Sequence, residues 1–147
     1  MKKLILIFLC FLVINCKGQQ VKSFTILDSS TIILEEVIRQ LHCRVIKGKD
    51  RVFKFGVKPD CNYSDVCAGS VFYFKISPDL DSFEYKDDEL IRLSAVEESL
   101  DRKPYGNTFP IIKGIFKGKK IEEALWEFEI DVSWFKMKGQ LKITPKQ

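Results

Sequence analysis

From Trp126 to Trp134 the chain alternates without a break. Trp126, Phe128, Ile130, Val132 and Trp134 are apolar, and Glu127, Glu129, Asp131 and Ser133 between them are polar. A period of two places successive side chains on opposite faces of a strand, so this segment belongs in a sheet with one face buried and one wet. A helix would scatter the same residues around its circumference. The flanking segments continue the theme. Met137, Leu141 and Ile143 share one face of a strand over about 137–143, and Ile111 to Phe116 forms another, ending at the turn-like Gly118-Lys119-Lys120. Hairpin spacing makes these three strands antiparallel.

Three more strands are expected upstream. Val21 to Leu27 is a short one. Over 52–58, Phe53, Phe55 and Val57 alternate with Val52, Lys54 and Gly56 and stop at Pro59-Asp60. Val71 to Ile76 is apolar on both faces, which suits a central strand covered on both sides. Two segments read as helices. Ile33/Leu34, Val37/Ile38, Leu41 and Val45 recur at helical spacing after the N-cap oxygens of Asp28 to Thr31, and Gly48 follows, predicting a helix over 31–46. Asp87-Asp88-Glu89, then Leu90, Leu93, Val96 and Leu100, then Arg102-Lys103-Pro104 predict a second over 88–101. The expected fold class is α+β, a mainly antiparallel sheet of about five or six strands with two helices packed on it. With 147 residues and no repeat or linker, residues 21–147 read as one globular domain.

The N-terminus reads as an address. Lys2 and Lys3 precede an unbroken apolar run from Leu4 to Ile14, too short to span a bilayer and typical of a secretory signal over 1–15, with 16–20 as a tether. The end of this segment, Val13-Ile14-Asn15-Cys16, resembles the lipobox of bacterial lipoproteins, with Asn15 where Gly, Ala or Ser is usual. The continuation Cys16-Lys17-Gly18-Gln19-Gln20 resembles envelope lipoproteins of the Bacteroidota type. The resemblance implies lipidation at Cys16 and a protein held in the cell envelope by an N-terminal lipid anchor. The residues also allow cleavage after Gly18, which would leave a soluble periplasmic or secreted protein starting at Gln19.

Export bears on the remaining cysteines. Cys61 and Cys67 bracket a short loop, and in an oxidising compartment a disulfide between them would stabilise the domain by roughly 2 kcal/mol. Cys43 reads as a small buried hydrophobe. The spacing of Cys61 and Cys67 and the single histidine, His42, argue against a metal site.

No phosphate loop, nucleophile elbow or paired-histidine motif is present, so neither a cofactor nor a catalytic residue is assigned. Acids cluster between Asp79 and Glu98. They read as a solvated loop feeding a helix, although a facing carboxylate pair would suit a hydrolase of cell-wall glycan. Basic residues dominate 39–58 and 102–120. They read as partners of those acids, the alternative being a surface for anionic lipid head groups or glycan. Without Lys2 and Lys3 the formal charge of +4 falls by two, which disfavours nucleic acid. The aromatic surplus is more suggestive. Phe72, Tyr73, Phe74, Trp134 and Phe135 are candidates for an exposed binding surface for a protein or an apolar ligand. The expected function is a non-enzymatic envelope lipoprotein acting as a binding module, with the glycan hydrolase and a soluble inhibitor-like domain as alternatives.

Overall fold

The computed structural model describes residues 19–59, 69–100 and 107–144. Ten strands and one short helix follow in the order β1 (Gln19–Val37), β2 (Gln40–Lys47), β3 (Asp50–Pro59), β4 (Ser70–Ile76), β5 (Ser82–Lys86), α1 (Glu89–Arg92), β6 (Val96–Ser99), β7 (Asn107–Pro110), β8 (Gly114–Glu122), β9 (Leu125–Val132) and β10 (Phe135–Lys142). They form a six-stranded sheet ordered β2-β1-β3-β4-β6-β7 and a four-stranded sheet ordered β10-β9-β8-β5. Every pairing is antiparallel.

The α+β expectation is overturned, because the first anticipated helix is strand and the second is helical over only four residues. Residues 31–46 form the second half of β1 and most of β2, joined by a two-residue turn at Ile38-Arg39. The run is rich in β-branched residues (Thr31, Ile32, Ile33, Val37, Ile38, Val45, Ile46), which favour extended backbone. The second helix starts where the acids place it but lasts four residues. Ser94 then adopts φ 47°, and Val96–Ser99 turns into a strand beside β4. Tertiary pairing outweighs the helical spacing in both places.

The two sheets pack through an aromatic core. Phe24, Phe53, Phe55, Phe72 and Phe74 from the first meet Phe83, Phe116, Trp126, Phe128 and Phe135 from the second, all buried. Phe74 stacks on Phe116 with centroids 3.9 Å apart, and Phe53 meets Trp126 edge-on at 4.9 Å. Gly118 makes room for this packing, since a Cβ there would stand 2.4 Å from Cζ of Phe83 and 2.9 Å from Cε1 of Phe128. The alternating strand is β9, whose wet face carries Glu129 and Asp131 opposite Lys138 and Lys136.

Bulges shape the first sheet. Between the pairs Leu27–Val52 and Ser30–Asp50, β1 holds one residue more than β3, and Ser29 sits at φ 50°. One extra residue reverses which face the even-numbered side chains take. Phe24 and Ile26 therefore face the aromatic core, whereas Ile32 and Leu34 join a second cluster on the opposite face. The bulge is pinned by Arg51 Nε donating to Asp28 Oδ1 at 2.7 Å and by Gly48 N–H donating to Ser29 O at 3.0 Å. Beyond it the β1–β2 hairpin curls over the sheet until β2 lies beside β7, with Cα atoms within 8 Å. The first sheet is thereby almost closed on itself.

Candidate functional site

The curl gives the first sheet a concave face. Ile32, Val52, Tyr73 and Val96 form its buried floor, and Leu27, Leu34, Cys43, Val45 and Val71 pack around them while still partly open to solvent. This contrasts with the aromatic core on the other side of the same strands, where Phe53, Phe55, Phe72 and Phe74 are closed off completely.

Three polar groups stand on this apolar face. The Tyr73 hydroxyl donates to Glu98 Oε2 at 3.2 Å, and Lys54 Nζ lies 5.7 Å from the centroid of the Tyr73 ring. Strand register explains the grouping, because Lys54 is paired with Tyr73 and Glu98 with Val71, two positions from Tyr73 on the same side of β4. Burial, reinforced by the Glu98 carboxylate and Cys43, holds the phenol above its ordinary pKa. Burial and the same carboxylate push the Cys43 thiol up to about 11. Cys43 is a free thiol and stays protonated at neutral pH, so it acts as an apolar wall rather than a nucleophile.

The sequence-derived candidates divide. Phe72, Phe74 and Phe135 are buried in the aromatic core, Phe72 and Phe135 with centroids 4.9 Å apart. They offer no surface; the aromatic surplus fills the space between two sheets, where a single sheet under two helices was anticipated. Trp134 is half-buried, its ring edge on Phe72 at 5.5 Å and its indole N–H donated to Glu97. Tyr73 alone of the five faces the concave side. Cys16, Cys61 and Cys67 lie outside the described residues. The concave face also draws on Lys54, which sequence reasoning did not single out, and on Glu98, which it named only as one of a run of acids. Their positions, polar residues in register on strands with an otherwise apolar face, become a signal only once the pairing is known.

Several of the acids are held by separate partners. Glu97 and Glu98 are neighbours on β6 and face opposite sides of the sheet. Glu97 is buried and accepts from Ser70 Oγ at 2.8 Å, Ser133 Oγ at 2.9 Å and Trp134 Nε1. Glu84 is bridged to Lys86 and Lys117, and Asp81 to Lys120. Asp87 Oδ1 accepts from Gly114 N–H, and Glu89 Oε2 from Lys86 N–H. The Glu84–Lys117 and Asp81–Lys120 pairs join the acidic segment after Asp79 to the basic segment before Ile121. Among the described residues no group of histidine, cysteine and carboxylate side chains could hold a metal ion, and no helix is long and apolar enough to cross a membrane. Comparisons with protein-family models, curated proteins and solved structures find no match to this chain.

Proposed function

We propose that this protein is an exported, lipid-anchored binding module of the bacterial cell envelope, with no catalytic role, and that the concave face of its first sheet takes an apolar ligand. One observation carries the reading of the face. Leu27, Leu34, Cys43, Val45 and Val71 remain partly open around Tyr73 and Glu98, above a buried floor of Ile32, Val52 and Val96. A concave apolar surface with a few converging polar groups is the usual make-up of a small-molecule site, and mouths of curled sheets are a common place for one. The export and lipid-anchor part rests on Lys2, Lys3, the Leu4–Ile14 run and Cys16.

The test is a titration with an apolar fluorophore, N-phenylnaphthylamine, followed by competition with fatty acids, alcohols and amines of equal chain length. Saturable binding is expected, at least tenfold weaker in Val45→Phe, which fills the concavity from β2. Equal binding by Val45→Phe and the parent would place the ligand elsewhere. Absence of saturable binding would remove the reading. Intact mass of the protein purified from the envelope tests the anchor separately. A chain starting at acylated Cys16 is expected, and a chain starting at Gln19 would exclude it.

A further inference from the structure

The apex of the β1–β2 hairpin is built unlike the rest of the surface. Ile38 is 91% exposed, the neighbouring Val37 46%, and both turn residues adopt positive φ, 51° at Ile38 and 61° at Arg39. Two-residue hairpin turns of this kind favour Asn-Gly, and a β-branched residue at positive φ is an outlier. The turn thus holds an apolar side chain in solvent, in a backbone conformation that disfavours it.

Strand register shows where the apex points. Near the base of the hairpin, Ile32 packs with Val52, which pairs with Leu27 at the far end of the β1–β3 ladder. Two residues further along, Leu34 pairs with Cys43, and Cys43 feels the carboxylate of Glu98. Glu98 is level with Val71, Gly56 and Ser23, close to where β1 begins. The hairpin therefore runs back across the concave face toward the pole at which Gln19 enters the fold. The strand beside β2 agrees, since Asn107 of β7 is level with Ser99, Ser70, Val57 and Val21. Cys16 precedes Gln19 by three residues, which reach at most about 10 Å. A lipid on Cys16 would hold this pole against the bilayer.

We infer that the Val37-Ile38 apex inserts into the interface of a phospholipid bilayer beside the lipid anchor, with Arg39 in the turn among the head groups. The position of the tip suits this occupant. The apex is level with the pole from which the chain leads back to Cys16, and Glu35, beside the tip, is bridged to Arg44 at 3.5 Å. A single lipid chain anchors weakly, and an exposed apolar tip held beside it supplies a second membrane contact. The inference rests on the lipid-anchor reading for its geometry.

Trp substitution at the apex tests both separately. Ile38→Trp protein, full-length and processed, is mixed with phosphatidylglycerol–phosphatidylethanolamine vesicles carrying brominated acyl chains, and its intact mass reports acylation of Cys16. The added fluorescence, after subtraction of the parent signal, is expected to shift to the blue and to lose at least half its intensity. Gln140→Trp, on the second sheet, is expected to lose none. Val37→Trp, at an ordinary strand position, replaces Ile38→Trp if that variant does not fold. An acylated protein whose apex Trp is not quenched overturns the insertion and leaves the anchor standing. Quenching without acylation supports the insertion and removes the anchor. Neither acylation nor quenching removes both.

Discussion

Trp134→Phe isolates the device that fastens the second sheet to the first. Glu97 lies on β6 with 8% of its surface exposed, and its carboxylate takes three donors, one from β4 and two from the turn between β9 and β10. Phe at 134 keeps a ring against Phe72 but removes the indole N–H together with one ring of the bicycle. A hydrogen bond to a charged group is worth about 1.5–3 kcal/mol, and leaving a buried carboxylate one donor short adds to the loss. Trp134 is itself half-buried, so water recovers part of this, and a net cost of about 1.5 kcal/mol is expected. With a urea slope of about 1.5 kcal/mol/M, ordinary for a domain of this size, the midpoint should fall by about 1 M. Far-UV circular dichroism at pH 7 is the assay, because the substitution changes the fluorescence. Glu97→Ala should cost more, about 3 kcal/mol, since it strands the Ser70 hydroxyl in a site with 4% exposure. In a double-mutant cycle Trp134→Phe should then have little further effect. A midpoint within 0.2 M of the parent for Trp134→Phe, on a measurement scale of about 0.1 M, would refute the claim that Glu97 holds the hairpin.

Other expectations follow from single features. Replacing Ile38-Arg39 by Asn-Gly relieves two residues of positive φ and should stabilise the fold by about 1–2 kcal/mol, seen as a raised Tm; an unchanged or lower Tm would mean that the turn carries no strain. Gly118→Ala drives a methyl into Phe83 and Phe128 and should destabilise by about 1–3 kcal/mol in urea, with a null result showing that Phe83 yields freely. The Cys43 thiol is raised in the folded state, so between pH 9 and about 11 the unfolded chain releases its proton first. Its contribution to stability is complete below about pH 9 and is lost as pH rises through about 11, and Cys43→Ala should flatten this slope, leaving the part due to Tyr73. Iodoacetamide labelling of Cys43 should likewise accelerate up to about pH 11 rather than level off near 9.

What could be read from the residues, and what could not, turns on the range of each signal. Period two in β9 survives intact because Trp126, Phe128, Ile130 and Val132 all face one core and nothing interrupts the ladder. The apolar run Val71-Phe72-Tyr73-Phe74 of β4 likewise means what it implies, since Phe72 and Phe74 enter the aromatic core while Tyr73 enters the concave cluster. In 31–46 two antiparallel strands meet at a turn without glycine or asparagine, and their inward residues, Ile32 and Leu34 on one and Cys43 and Val45 on the other, superimpose on a helical repeat. Only the density of β-branched residues distinguished the two readings. The candidate site was hidden by a longer-range effect. The extra residue at Asp28-Ser29 exists only relative to Arg51 on another strand, so no local window contains it. Yet it is this residue that turns Ile32 and Leu34 away from the aromatic core and sends the hairpin back over the sheet. Tyr73, Glu98, Lys54 and Cys43, drawn from four strands, share a surface as its consequence. The concave face is therefore a property of register, and periodicity within a single strand cannot express it.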